Sequence, residues 1–537
     1  MQLKETVSWG MLFVVVTIAS AGSFARAEPG NFTKADRSAD APNSGFEAAA
    51  KAVKPDVSQP IVVDGPVIRE KLQRDVQALL YTKRFAELET LAGRLRAAKE
   101  RFPEGHWKLM YFYWAFKKPL GNRPNKWDRH FKVLEQWRQA FPQSVTARIA
   151  TAEAWLSYGW EARGEGYASS VSDQGWELLK ERVAKAYALV KDAPVKGEPD
   201  CPGRYDLLLT IGKVEGWPPE RYIGTFQAAV RCEPEYIQFY ASTMDYLSPK
   251  WQGDEESWIA FIEQADTIAG KPESRELYAR LMVGMWRDTW TSYDDLRVSW
   301  TKMKKGYRDM ERRFPGSQYN LNNFAKFACV AGDAEVGREL FQKIGDAPYF
   351  DVWDRKGLDF EQCRKKFGVS GLTRKEIYLG RKNQEAVQMR ILAEQGDVFS
   401  QLGLAKDYSK GEVGKVQDHA LAFKFAKSAA EKGYVPAQAW LGLMYFSGKG
   451  VNTDKNTGIQ LLENAAKQGD NEGMFYLPHY LVKQNKHLES LAWLLVSKDK
   501  KWAQEMIPVV EKTLTPEEIE SAKQKSANIV SIIDSNQ

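Results

Sequence analysis

The C-terminal third of the chain reads Ala-Glu-Gln-Gly-Asp at 393–397, Ala-Glu-Lys-Gly-Tyr at 430–434 and Ala-Lys-Gln-Gly-Asp at 466–470. The glycines Gly396, Gly433 and Gly469 are 37 and 36 residues apart. A period in this range fits stacked helical hairpins, each too small to bury its apolar face alone. Such stacks offer curved surfaces to other macromolecules and carry no chemistry by default.

The pattern upstream is helical as well. Phe85, Leu88, Leu91, Ala92, Leu95, Ala98 and Phe102 recur at spacings of three and four, with charged residues between them. Proline punctuation then repeats at Arg101-Phe102-Pro103, Ala140-Phe141-Pro142, Arg231-Cys232-Glu233-Pro234 and Arg313-Phe314-Pro315. Proline lacks an N–H and disfavours helical geometry in the preceding residue, so each site predicts a helix end. Ser144 and Ser317 follow two of these turns as expected caps of the next helix. No alternating β-branched run predicts a strand. The expected fold class is all-α, a helical-hairpin solenoid in two domains.

With 537 residues, the chain is too long for one core. Its 76 basic and 70 acidic residues are interspersed, giving +6, a mixed solvated surface and no nucleic-acid footprint. Lys4, the apolar run Trp9–Ile18 and Ala25-Arg26-Ala27 predict an export signal cleaved after Ala27. The run is too short to span a bilayer, and no later stretch is apolar enough to anchor the chain. The expected location is therefore the periplasm or the exterior. Cys201, Cys232, Cys329 and Cys363 permit two disulfides there, and sequence neighbours suggest Cys201–Cys232 and Cys329–Cys363.

Two resemblances sharpen the outline. Leu441-Gly442, Tyr445, Gly448, Gly450-Val451, Asp454, Ala465-Ala466 and Gly469 resemble the Sel-1-like repeat, a relative of the tetratricopeptide repeat. The copy before it keeps Leu404, Tyr408, Gly411, Asp418, Ala429, Ala430 and Gly433, and a degenerate copy follows. Trp160-Glu161-Ala162-Arg163-Gly164 and Tyr246-Leu247-Ser248-Pro249-Lys250-Trp251-Gln252-Gly253 resemble signatures of domain-of-unknown-function family 4034. That likeness implies an exported helical domain without assigned biochemistry. The expected organisation is a signal peptide over 1–27, a flexible linker over 28–64 and a helical domain over 65–350. A basic connector over 351–385 and repeats with a capping helix over 386–537 complete it.

Chemical motifs are scarce. The five histidines fall in no metal spacing, and neither a nucleophile elbow nor a phosphate loop is present. No cofactor, metal or catalytic residue is expected. Trp160, Glu161 and Arg163, with Glu165, form the best local cluster, read either as an anion site or as a hairpin turn held by an ion pair and ring packing. The stripe Trp286, Trp290, Tyr293 could line a sugar groove or a core. The repeat register predicts Gln438 and Met444 as exposed docking positions on the helix from Ala437 to Ser447, with Gln401 and Asp407 as their equivalents. The expected function is non-catalytic protein binding or assembly in the cell envelope. The alternative is glycan or peptidoglycan contact through the Trp/Tyr-rich first domain.

Overall fold

Short-range capping decides where many of the helices start. In the computed structural model, residues 64–120, 125–164, 170–192, 202–289, 298–345, 348–353, 360–369, 386–411 and 417–536 are described. The expected signal peptide, most of the linker, Cys201, Glu165, Trp290, Tyr293 and residues 370–385 lie outside them. The first helices are α1 (Pro66–Tyr81), α2 (Phe85–Ala97), α3 (Lys108–Trp114), α4 (Lys126–Ala140), α5 (Val145–Arg163), α6 (Asp173–Val190), α7 (Pro202–Val214), α8 (Pro219–Cys232) and α9 (Ile237–Tyr246). Ser144 opens α5 by accepting from Ala147 N at 2.9 Å, as the sequence predicts. The expected end of α2 at Phe102 is corrected: α2 stops at Ala97, and Lys99 turns the chain with φ of 50°. Phe102 is still buried, reached through a loop closed by the isolated antiparallel bridge Arg101–Trp107.

Helices α10 (Glu255–Ile268), α11 (Glu276–Thr289), α12 (Trp300–Arg313), α13 (Gln318–Ala331), α14 (Ala334–Ile344), α15 (Phe350–Trp353) and α16 (Phe360–Lys366) continue the pattern. Consecutive helices pack as hairpins around cores rich in large rings. Tyr222 and Tyr246, for example, stack at 3.7 Å with an interplanar angle of 7°. Two boundaries differ from the sequence reading. Asp64, expected in the flexible linker, is fully buried and accepts from Ser317 Oγ (2.7 Å) and Tyr319 N (3.0 Å). The start of the expected connector is core: Val352, Trp353, Phe360 and Phe367 are buried, and Phe341 meets Trp353 and Phe360 at 5.6 and 5.3 Å. Cys329 and Cys363 form a disulfide joining α13 to α16. The charges of Arg364, Lys365 and Lys366 hide this apolar stripe from a composition argument.

An ionic network holds the first domain together. Glu104 is fully buried, with Arg69 Nε and His106 Nδ1 each 3.4 Å from its Oε1. Burial alone would raise the pKa of Glu104, but His106 and Arg69 outweigh it and hold the carboxyl below its usual range. Burial pushes His106 down to about 4, so its ring is neutral at physiological pH. Beyond this trio, Arg280 donates to the Glu104 carbonyl (2.8 Å) and to Glu276 (2.9 Å). Arg313 bridges Glu276 to Glu235. Arg101 and Lys271 also pair with Glu235.

The C-terminal helices are α17 (386–394), α18 (Val398–Lys410), α19 (His419–Glu431), α20 (Val435–Ser447), α21 (Lys455–Lys467), α22 (Asn471–Val482), α23 (His487–Val496), α24 (Lys501–Glu511) and α25 (Pro516–Asn536). Asp397, Asp418, Asp454 and Asp470 cap α18, α19, α21 and α22 through their carboxylates. Gly448 ends α20 at φ of 69°, where a side chain would also strike Thr453. Gly442 and Gly458 let α20 and α21 touch backbone to backbone, since a Cβ on either would lie 2.8 Å from the other's carbonyl oxygen. Thr515 and Glu518 form a reciprocal capping box at α25. Helix α1 reaches this domain too: Arg74 lies 3.6 Å from Asp397 and 4.2 Å from the Phe399 ring. No helix among the described residues is long and apolar enough to cross a membrane.

Glu276→Ala would leave Arg280 and part of Arg313 buried without their carboxylate. It is expected to destabilise the chain by about 3 kcal/mol, read from urea unfolding followed by circular dichroism. Reducing the Cys329–Cys363 bond is expected to lower stability by about 2–4 kcal/mol, measured as a fall in Tm that Cys363→Ser reproduces.

Candidate functional site

The best-developed polar seam lies where α5, α7 and α9 meet. Residues seven apart share a helix face, separated by about 10 Å along the axis. Helix α5 thereby places Glu153 and Trp160 on one line, and α7 does the same with Asp206 and Lys213. Helix α9 adds Ser242 and Asp245 at i, i+3. Inside, Lys117 lies 3.7 Å from the buried Glu153, and Ser242 Oγ donates to the buried Asp206 at 3.3 Å. At the outer end Lys213 pairs with Asp245 and sits 5.0 Å over the Trp251 ring. Trp251 in turn meets Trp160 edge-on, at 6.3 Å and 89°.

The sequence thus singled out two segments whose tryptophans are 91 positions apart, and the structure brings Trp160 and Trp251 into contact. Of the charged members of the expected cluster, Glu165 lies outside the described residues, and Glu161 and Arg163 face different elements. Glu161 turns towards α4, accepting from Trp127 Nε1 (2.9 Å) and pairing with Lys126 (3.0 Å). Arg163 lies between two rings, 5.5 Å from Trp160 and 5.4 Å from Trp176. Trp176 is 40 % exposed and keeps this corner open to solvent. Sequence reasoning missed Glu153 and Asp206. Their signal was a carboxylate on an otherwise apolar helix face, as in Ala150-Thr151-Ala152-Glu153-Ala154.

Burial, then repulsion from Glu153, raises Asp206 to about 7, with Lys117, Ser242 and Lys213 opposing. Burial likewise raises Glu153, against the pull of Lys117. Two carboxyls in one seam therefore share less than a full pair of negative charges near neutrality. Such groups can donate as well as accept hydrogen bonds.

The repeat positions need a second correction. Gln401 is buried, its Nε2 donating to the Ala393 carbonyl at 3.0 Å, and Met444 is 2 % exposed. Helix α20 packs against both α19 and α21, so its apolar surface extends around more than one stripe. Asp407 and Gln438 are half-buried, and Gln438 Oε1 accepts from Gln468 at 3.2 Å. The accessible row across the first helices is different. Phe399 is 47 % exposed, while Lys406 reaches from α18 over Trp440 (5.1 Å) to Glu472 on α22 (2.8 Å).

Asp206 keeps its proton up to about pH 7 in the folded chain, whereas the ordinary value is 3.8. Folding takes up a proton between those values, so this group favours the fold as pH falls from 7 towards 4 and opposes it above 7. Asp206→Asn is expected to raise the urea midpoint at pH 8 and leave it nearly unchanged at pH 4. In the repeats, Met444→Ala is expected to cost about 2–4 kcal/mol. Gln438→Ala should stay within about 0.5 kcal/mol in the same assay.

Comparison with known proteins places the C-terminal part. No curated protein is similar to the chain in sequence. A Sel1 repeat protein from Oxalobacter formigenes aligns over 78% of this chain and 96% of its own, at 14% identity and a TM-score of 0.24. The protein c5321, a protective antigen present in uropathogenic Escherichia coli strains and displaying an SLR fold, aligns over 74% and 95%, at 14% identity and 0.22. Residues 398–434 and 435–470, helical among the described residues, match the family model of the Sel1 repeat.

Proposed function

We propose that the chain is an exported, non-catalytic helical-repeat protein that binds or assembles protein partners in the cell envelope. Sel1 repeats generally mediate protein–protein interaction, and the matched pair at 398–470 carries this reading. The row Phe399, Lys406, Trp440 and Glu472 supports it, because it combines an exposed ring, a half-buried indole and an ion pair across neighbouring first helices. A partner with an apolar anchor flanked by charge fits such a row. The helical domain resembling family 4034 would then position the repeats, after a signal peptide ending at Ala27.

A second reading is favoured by one observation. The edge-on Trp160–Trp251 pair lies about two helical turns from the buried Glu153 and Asp206, and Trp251 Nε1 has no acceptor among the described residues. A pair of tryptophan rings with an indole N–H left to donate suits glycan contact.

If export is right, N-terminal sequencing of envelope material should begin at Glu28. An intact Met1 in a cytoplasmic pool would sink that part of the proposal. A partner captured from envelope extract should lose at least about tenfold in affinity on Phe399→Ala/Trp440→Ala. Unchanged affinity would move docking elsewhere. Titration with soluble glycan strands, monitored by tryptophan fluorescence, tests the second reading, which predicts saturation that Trp251→Ala abolishes.

A further inference from the structure

The turns of successive hairpins converge beside α12, and their charges do not balance. Arg101 comes from the loop after α2, Glu235 from the turn before α9, Lys271 from the turn before α11, and Arg313 from the end of α12. Arg101 and Arg313 each lie 2.8 Å from Glu235 Oε2, while Lys271 pairs with Oε1. Behind them Glu276 serves Arg280 and Arg313. Four cations therefore meet two carboxylates, an excess of two positive charges. Widening the circle changes nothing. Arg275 and Arg312 are offset by Asp266 and Asp309, Lys99 by Glu233, and Arg69 by Glu104.

The excess faces outwards. Glu276 and Arg280 are 6% and 9% exposed at their side chains, whereas Arg313 and Lys271 are 36% and 39% exposed. The geometry is also held in place. Arg101 lies 4.5 Å over the Trp107 ring, and Trp107 Nε1 donates to the Glu235 carbonyl at 3.0 Å. Arg101 also donates to the Gly105 carbonyl at 3.3 Å. Each guanidinium has five N–H donors, so both retain donors beyond these bonds, in a fork that matches oxyanion geometry. Burial depresses Arg101 against the pull of Glu235 and Glu276, whereas those two carboxylates raise Arg313 against its burial.

We propose that Arg101, Lys271 and Arg313, grouped around Glu235, form a binding site for a divalent phosphate-class oxyanion. The two unmatched positive charges correspond to the dianion, and the ordered guanidinium forks supply its hydrogen bonds. The site is separate from both the repeat row and the tryptophan corner.

Calorimetric titration of the full-length chain with inorganic phosphate, at constant ionic strength set by sodium chloride, tests this. The expected result is saturable binding that Lys271→Gln weakens about fivefold, with an unchanged circular dichroism spectrum. Lys305→Gln, which removes a half-exposed cation elsewhere on α12, should leave the affinity as it was. Equal loss in both variants, or no saturable heat, would overturn the site. Acetate binding as tightly as phosphate would overturn its preference for a dianion. Glycerol 3-phosphate distinguishes the sources: a matching affinity supports a phosphate group carried on a larger ligand, and binding of inorganic phosphate alone supports the free ion.

Discussion

The first domain depends on carboxylates taken out of water and surrounded by guanidinium groups. Glu104, Glu276 and Glu235 collect five cationic side chains from α1, the loop after α2, the turn before α11, α11 itself and the end of α12. An isolated buried charge is strongly unfavourable, so each carboxylate fixes the position of its partners. That requirement sets the relative placement of hairpins whose apolar faces alone would allow sliding. It also explains why the turns, usually the most variable part of a helical stack, are here the most constrained.

What could be read from the sequence follows the range of the interactions. Ser144, Ser317 and Asp454 cap helices three residues away, and Gly448 ends one at its own position, so local chemistry reveals them. The pairing of Arg313 with Glu235 spans 78 residues, and that of Ser317 with Asp64 spans 253. No periodicity encodes such distances. Gln401 and Met444 were misplaced for a different reason. A helix in the middle of a stack is covered on two sides, and one-face register rules then overstate what remains exposed. At α2, the left-handed turn at Lys99 ended the helix before proline could.

Candidate sites fared likewise. Trp160 and Trp251 stood out in separate segments, but only the fold shows that they touch. Glu161 and Arg163 are close in sequence and face different elements, because positions two apart on a helix are rotated by about 200°. The carboxyls of Glu153 and Asp206 carry more of the site's chemistry and sit among alanines and leucines that read as plain core.

One consequence of the Asp64 contact is mechanical. Asp64 is the first described residue, and its carboxylate grips Ser317 and Tyr319 at the start of α13. Immediately after it, α1 grips Glu104 through Arg69 and Asp397 through Arg74. Tension applied at residue 64 itself would therefore load α13 through Ser317 and Tyr319 and, through Arg69 and Arg74, both domains along α1. Because Arg74 also stacks on Phe399, that load reaches the exposed end of the repeat row directly.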